Sequence, residues 1–372
     1  SGMVTAIEDF ITADEPSPQL MLYNYDQLNR ITHAKAFNAS NILISNSWQN
    51  IAGKTKYETN YEYDANGNIT KLSREGDDRG QMDDFSYKYQ NVANGYDRNT
   101  NRLMLVNDAV GENVYADIDV DDQGISDNYT YDGIGNLTSD VAEEIEEIIW
   151  HVNGKVKAVN RFDGSTKSDL EFWYDAMGQR TIKLEKPRTD QGNPENESEW
   201  KYTYYNRDAS GNVMAIYNRN YELLSSATNS YKENITITEF DLYGSSRVGL
   251  YTPTDPKIAQ STFTASISGG SFGVKSNINN LIEVKTNESS YFKGDKTFEL
   301  SNHLGNVLAV VSDRIIPQSS DNTITDSYTA VVVTASDYYP FGMQMTDRKV
   351  SNSNYRYGFN GKESDGEWGN GT

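Results

Sequence analysis

The sequence contains an internal repeat, and repetition at a near-fixed period constrains a fold more strongly than any single motif. The segment from Tyr61 to Ile69 joins the pattern Tyr-x-Tyr to Asp-x-x-Gly-Asn, and segments beginning at Tyr23, Tyr129 and Phe172 follow this pattern with small changes. Looser copies of its turn lie at 97–101, 208–211, 241–244 and 302–305. Seven copies place an aspartate at the first turn position, in steps of 33 to 43 residues: Asp26, Asp64, Asp97, Asp132, Asp175, Asp208 and Asp241. This spacing predicts a repeat architecture.

Each copy predicts a β-hairpin. Asp at the first position and Gly at the fourth match a type I turn, where the carboxylate accepts backbone N–H groups and Gly supplies a positive φ. The Tyr-x-Tyr pair places two rings on one face of the preceding strand, and the alternation continues after the turn. A catalytic residue rarely occurs in seven copies, so we predict that these residues build turns. The predicted structural residues are Tyr25, Asp26, Tyr63, Asp64, Gly67, Asn68, Tyr131, Asp132, Gly135, Asn136, Tyr174, Asp175, Gly178, Asp208, Gly211, Asp241, Gly244, Asn302, Gly305 and Asn306.

We therefore predict an all-β fold, a ribbon of antiparallel β-hairpins with at most one or two short helices. One such helix is predicted over 139–147, because Ser139 and Asp140 resemble an N-cap and acidic residues fill the first turn. Residues 1–20 form a lead-in, 21–252 carry the repeats, 253–296 interrupt the period as an insertion with its own strands, and 297–372 form the final segment. No low-complexity linker divides the chain into independent domains.

Composition excludes several functional classes. The chain has no cysteine, and its three histidines (His33, His151 and His303) lie far apart, which argues against disulfides, thiol nucleophiles, zinc ribbons and iron–sulfur clusters. The formal net charge is −21 and no cluster of Lys and Arg stands out, so we expect no nucleic-acid partner. No run of 18 apolar residues is present, so we expect no membrane span.

One acidic cluster resembles a calcium loop in part. With Asp119 as position one, Gly124 takes position six as required, but position twelve is Thr130, where a calcium loop needs Glu. We favour a solvated hairpin turn and retain Asp119, Asp121 and Asp127 as a weaker calcium candidate. No other cofactor is expected.

The histidines also favour structural roles. His303 lies in a copy of the turn and is predicted to line it, since no nucleophile accompanies it. His151, beside Trp150, is predicted to be a strand residue. A carboxylate pair for glycoside hydrolysis cannot be selected among 54 acidic residues.

The repeated Tyr-x-Tyr-Asp-x-x-Gly-Asn pattern resembles the signature of Rhs and teneurin-type YD-repeat proteins. Three later stretches sharpen the resemblance: Ser-Asn-His-Leu-Gly-Asn-Val at 301–307, Ala-Ser-Asp-Tyr-Tyr-Pro-Phe-Gly-Met at 335–343, and Tyr-Arg-Tyr-Gly-Phe-Asn-Gly-Lys-Glu at 355–363. Together they resemble the Rhs repeat-associated core region of Bacteroidetes-type polymorphic toxins. The resemblance extends over about residues 20–365.

The resemblance implies a ribbon of hairpins wound into a spiral shell around a hollow chamber, with 297–372 as the end of the shell and the start of the core region. In such toxins the chamber holds a variable C-terminal toxic domain. The core region ends in an Asp-Pro-x-Gly-type segment, where the chain cleaves itself through aspartates. The single Asp-Pro pair here is Asp255-Pro256, followed by Lys257 inside the insertion. We therefore expect the self-cleaving segment and the toxic domain to lie outside this chain, and we expect no enzyme.

The function implied by the resemblance is structural encapsulation of a toxic domain in competition between bacteria. The expected partners are the protein's own toxic domain, the remainder of the shell and secretion machinery. The expected location is outside the cell or at its surface, although the first residues lack the features of a signal peptide. Two alternatives stay open: an adhesion module that binds glycans or proteins through exposed tyrosines, and a propeller-type enzyme, for which a unit of about 35 residues is short.

Overall fold

The computed structural model describes residues 2–5, 19–38, 49–50, 56–91, 99–111, 115, 123–124, 126–253, 257–268, 271–281, 292–350, 355–364 and 366. Strands account for 60% of the chain, and the described part contains no helix of seven or more residues. The two helices that are present are single 3₁₀ turns, Glu197–Glu199 and Phe359–Gly361. The prediction of an all-β fold with at most one or two short helices is confirmed.

The chain forms two compact units. Unit 1 comprises 1–130, 299–311 and 331–372, and unit 2 comprises 131–298 and 312–330. These units are divided differently from the four sequence segments, because the final segment contributes to both. Within 253–296 the structure has two strands, Lys257–Ser268 and Ser271–Leu281, which pair with each other.

Unit 1 contains an antiparallel sheet in the order β1-β2-β3-β5-β6-β7-β8, with β4 paired to β3. Neighbours in the sequence are therefore neighbours in the sheet. The strands are β1 (Gly2–Thr5), β2 (Gln19–Tyr25), β3 (Ile31–Asn38), β4 (Gln49–Asn50), β5 (Thr59–Tyr63), β6 (Ile69–Glu75), β7 (Gln81–Asn91) and β8 (Asn99–Asp108).

Unit 2 follows the same rule, with strands β10 to β18 paired in chain order and β21 paired to β18. Strand β19 pairs with β17 and continues that sheet into β20. The strands are β9 (Tyr129–Tyr131), β10 (Leu137–Asp140), β11 (Ile145–Trp150), β12 (Val156–Arg161), β13 (Asp169–Tyr174), β14 (Arg180–Lys186), β15 (Lys201–Arg207), β16 (Val213–Ser225), β17 (Ser230–Tyr243), β18 (Arg247–Tyr251), β19 (Lys257–Ser268), β20 (Ser271–Leu281) and β21 (Lys296–Ser301).

The last three strands also pair in chain order. They are β22 (Val307–Gln318), β23 (Ser327–Tyr338) and β24 (Gln344–Val350). In unit 1 a buried cluster joins the first strands to the region around Tyr339 and Met345, which are each 1% exposed. In unit 2 the rings of Tyr231 and Phe263 stack 5.9 Å apart in a second, smaller cluster.

The predicted helix over 139–147 is wrong. Strand β10 ends at Asp140, four turn residues follow, and β11 begins at Ile145. The helical spacing of the buried Ile145 and Ile148 comes from a β-bulge: the register of β11 against β12 shifts between Ile145 and Glu147. An extra residue in a bulged strand converts the two-residue period of a strand into a three-residue step.

Candidate functional site

The repeat turns share one hydrogen-bonding scheme. At Asp64 the carboxylate Oδ1 accepts the N–H groups of Asn66 and Asn68, each at 2.9 Å. The N–H of Gly67 donates to the Asp64 carbonyl at 3.1 Å, and Gly67 has a φ of +90°. The same two bonds to Oδ1 recur in the turns that begin at Asp26, Asp132, Asp175 and Asp208, and at Asn302, where the side-chain oxygen is an amide.

The residue after the turn glycine has a role that the sequence did not reveal. The amide Nδ2 of Asn68 donates to Asp64 Oδ2 at 2.9 Å, and Asn136 and Asn212 bind their own aspartates in the same way. In the turn at Asp208, the Asn212 side chain and N–H hold the pKa of the carboxyl below its usual value. These bonds stabilise the ionised carboxylate, so the turns favour the charged form.

Two assignments within the repeat need correction. Asp241 does not open a turn: it lies inside β17, pairs with Leu250 of β18 and is 5% exposed. The reversal comes after Tyr243, where the Gly244 N–H donates to the Ser246 carbonyl and the φ of Gly244 is not positive. The copy at Asp97 lies outside the described residues.

The same turn also occurs where the sequence lacks the Asp signature. His151 is the first residue of such a turn and not a strand residue, because its N–H donates to the Lys155 carbonyl and Gly154 closes the turn. Three further turns have the same backbone bonds and begin at Thr189, Tyr339 and Gly358. The glycine at the fourth position, rather than the first residue, is the signal that these copies retain.

A second regularity links consecutive hairpins. The residue just before a turn donates from its side chain to the carbonyl of the first strand residue after the preceding turn. The bonds are Tyr63 Oη to Ile31 O (2.7 Å), Trp150 Nε1 to Leu137 O (2.7 Å), Tyr174 Oη to Val156 O (2.8 Å), Arg207 Nε to Arg180 O (2.9 Å) and Tyr338 Oη to Val307 O (3.0 Å). We call Tyr63, Trp150, Tyr174, Arg207 and Tyr338 the pre-turn donors.

The acceptor lies at the same place in each case, five residues after the first residue of the preceding turn. A β-bulge just before the turn gives every donor the same register, with Tyr63 opposite Ile69 and Tyr174 opposite Arg180. At Tyr63 and Tyr174 the second tyrosine of the Tyr-x-Tyr pattern is therefore a connector between hairpins, which the sequence alone identified only as a ring on a strand face.

The turn from Tyr339 to Met343 contacts the first sheet of unit 1, with Tyr339 buried and Phe341 60% exposed. The Tyr339 hydroxyl donates to the Glu75 carbonyl at 2.8 Å, across 264 residues of sequence. Phe341 packs edge-on against Tyr61, with ring centroids 5.3 Å apart. This part of the chain thus fixes the closing strands of unit 1 against its first sheet.

Several charged groups are buried in unit 1. Arg74 Nε donates to Asp83 Oδ2 at 2.5 Å, and the Asp83 side chain is fully buried. Arg348 Nε donates to Asp337 Oδ2 at 2.6 Å, with Asp337 2% exposed. Each buried carboxylate thus has an arginine partner, which offsets the cost of removing it from water.

One carboxyl pair was not predicted from the sequence. Asp77 and Asp347 interact through their side chains, and Asp77 also binds Arg79 and accepts the Tyr115 hydroxyl at 3.1 Å. Burial would raise the pKa of Asp77, but the Arg79 guanidinium and N–H hold it well below its usual range. Desolvation and the Asp77 carboxylate raise the pKa of Asp347.

Unit 1 also contains two cavities. The larger, about 760 Å³, lies between strands β6 and β7 on one side and residues 355–364 on the other, and is lined by aromatic side chains together with Arg74, Arg356 and Lys362. The smaller, about 360 Å³, is lined mainly by apolar and aromatic residues, among them Tyr23 and Phe359. Both volumes lie within the range of small-molecule sites.

The remaining candidates form no site within the part of the chain that the structure describes. Asp119 and Asp121 lie outside the described residues, and Asp127 is exposed. His303 occupies the second position of an exposed turn, and His33 pairs with Glu58 at 2.7 Å. In the described part of the chain, no three His, Cys, Asp or Glu side chains are grouped as metal ligands would be. No helix among the described residues is long and apolar enough to cross a membrane.

No family model matches the sequence, and a search of curated proteins gives no match.

Proposed function

We propose that the chain is a wall segment of a β-shell of the Rhs, YD-repeat type, which encloses a toxic passenger domain. In this proposal the hairpins form a continuous wall, and the passenger and the rest of the shell are the partners. The protein would act outside the producing cell or at its surface, in competition between bacteria.

The observation that carries the proposal is the bond made by the pre-turn donors. Five hairpin junctions use one donor position and one acceptor position, although the donor is Tyr, Trp or Arg. A hydrogen bond that joins each hairpin to the one before it can be repeated along a wall of any number of hairpins. An active site needs the opposite, namely a few different groups that converge at one point.

The sheet order supports the same proposal. Each strand pairs mainly with its neighbours in the sequence, so every hairpin added to the chain adds two strands to the wall. The turn carboxylates accept local N–H hydrogen bonds, so few of their lone pairs remain available for acid–base catalysis.

Enclosure can be tested with a passenger fused after Thr372: an unfolded peptide that contains a single thermolysin site. We expect the peptide to be cleaved more slowly on the wild-type chain than on a chain in which Tyr63, Tyr174 and Tyr338 are replaced by Phe. The same peptide fused to an unrelated β-protein gives the unprotected rate. Equal cleavage rates on all three carriers would contradict enclosure and favour the adhesion alternative, which binding to immobilised glycans then tests.

A further inference from the structure

The larger cavity of unit 1 has features of a ligand site that the shell proposal does not use. Its volume of about 760 Å³ exceeds what a few ordered waters need. Its two walls come from distant parts of the sequence, with Arg74 and Tyr87 on the first sheet and Lys362 in residues 355–364.

The cavity wall presents hydrogen-bond donors that the protein leaves unused. Arg74 is 7% exposed, and its Nε binds Asp83, but its two Nη groups make no hydrogen bond to a described residue. Lys362, which also lines the cavity, is exposed, and its Nζ makes no ion pair within the described part of the chain. The Tyr87 hydroxyl also has no described partner, and burial raises the pKa of Tyr87 to about 12, so the hydroxyl keeps its proton.

Two acceptor side chains around the same cavity are already occupied. Glu363 binds Arg356 at 3.0 Å. Gln123 accepts the Val106 N–H at 2.9 Å through Oε1 and donates to the Tyr129 hydroxyl at 2.6 Å. Unused donors and occupied acceptors favour a ligand that accepts hydrogen bonds.

The charge of the cavity wall differs in sign from that of the chain. Its lining includes three cationic side chains (Arg74, Arg356 and Lys362) and one carboxylate (Glu363), in a protein with a net charge of −21. Aromatic rings fill much of the remaining wall, among them Phe85 and Phe359. Apolar walls with a few polar groups fix the orientation of a ligand and exclude water from its charged end.

We propose that this cavity binds an organic anion, a carboxylate carried on an aromatic or aliphatic body. The carboxylate accepts from the Arg74 Nη groups and Lys362 Nζ, and the body packs among the aromatic side chains. Charge-assisted hydrogen bonds from a guanidinium are the strong interactions of such a site.

The test compares two probes with the same body and opposite charge, 2-naphthoate and 2-naphthylmethylamine, by isothermal titration calorimetry on the full chain. We expect the wild-type protein to bind 2-naphthoate and to bind the amine at least tenfold more weakly. In Lys362→Gln, the Kd for 2-naphthoate is expected to rise roughly tenfold, which corresponds to loss of one charge-assisted hydrogen bond. Tyr87→Phe removes only the hydroxyl, and the Kd for 2-naphthoate is expected to rise roughly threefold.

The matched control is Lys88→Gln, which removes one positive charge from the exposed residue next to Tyr87, outside the cavity lining. We expect it to leave both Kd values unchanged. Equal affinity for the two probes, no binding of either, or equal loss in the Lys88 and Lys362 variants would overturn the proposal. Circular dichroism of each variant shows that the fold is retained, and Arg74→Lys provides a second variant that keeps the buried charge.

Discussion

At the scale of single residues, the fourth position of the turn decides whether the backbone can close. Gly135 has a φ of +99°, whereas Gly133 in the same turn does not have a positive φ and has open space around it. We expect Gly135→Ala to lower the free energy of unfolding by roughly 1–2 kcal/mol, because an L-residue is strained at this φ. Gly133→Ala is the control and should be neutral or stabilise by up to about 1 kcal/mol. Urea denaturation measures both, and equal losses would contradict the assignment of the turn.

The turn carboxylates predict a pH dependence with a definite sign. Hydrogen bonds from Asn212 lower the pKa of Asp208, and the Arg30 N–H is the main cause of the lowered pKa of Asp26. A carboxyl with a lowered folded-state pKa contributes stability above its unfolded pKa of about 3.9 and loses it as the pH falls through the folded value.

We therefore expect Asp208→Asn to melt below the wild type at neutral pH. The difference should shrink as the pH falls below about 4, because the wild-type carboxyl then becomes protonated too. Melting curves of both proteins over this range give the result. A difference in melting temperature that is constant with pH would show that the charge of Asp208 has no part in the turn.

At the scale of elements, the pre-turn donors predict where hairpins separate. Tyr174→Phe removes the bond to the Val156 carbonyl and leaves the ring in place. We expect a loss of about 1 kcal/mol, the net value of one hydrogen bond. Tyr25 also precedes a turn but is 46% exposed and makes no described hydroxyl bond, so Tyr25→Phe is the matched control and should change little.

Amide hydrogen exchange localises this effect. Loss of the Tyr174 bond should raise exchange in β12 and β13 more than in β16 and β17, since the bond joins β13 to β12. Uniformly faster exchange across unit 2 would instead indicate global destabilisation, and the role of Tyr174 as a local connector would be wrong.

Local chemistry explains which elements were predictable. The turns at Asp64 and Asp208 could be predicted because the carboxylate bonds that close them lie within five residues. The helix over 139–147 was mispredicted because Asp140 accepts the Glu143 N–H at 3.3 Å, a bond typical of a helix N-cap, but does so in a four-residue turn between β10 and β11. Asp241 has the right neighbours in sequence but pairs with Leu250 inside a sheet, and register between strands is not encoded in a four-residue motif.

At the scale of the whole molecule, the sequence did not predict which distant segments meet in the interior of unit 1. The Tyr339 hydroxyl meets the Glu75 carbonyl across 264 residues, and the larger cavity lies between segments about as far apart. The repeat predicts that strands pair in chain order. It does not predict that the segment around Tyr339 returns to the first sheet. Arg74 and Asp83 are partners in the register of β6 and β7, and the Arg74 guanidinium also lies over the Tyr339 ring of the returning chain.

The carboxyl pair of Asp77 and Asp347 is the place in unit 1 where self-cleavage by aspartates can be tested directly. Two carboxyls that share a proton are the arrangement of an aspartyl site. Here, however, Arg79 binds both oxygens of Asp77, and Tyr115 donates to Oδ1. An aspartate held as an ion pair has few lone pairs left to activate a water molecule, and its lowered pKa makes it a weak general base.

We therefore expect the purified chain to keep its intact mass during days of incubation between about pH 4 and pH 8, the range in which a carboxyl pair would act. Asp77→Asn and Asp347→Asn should behave like the wild type in this assay. Arg79→Gln frees the Asp77 carboxylate and is the most demanding variant, and it too should remain uncleaved if the pair only joins the two segments. A discrete fragment that appears in the wild type and disappears in either Asn variant would show that these aspartates are catalytic, and the proposal of a purely structural wall would then fail.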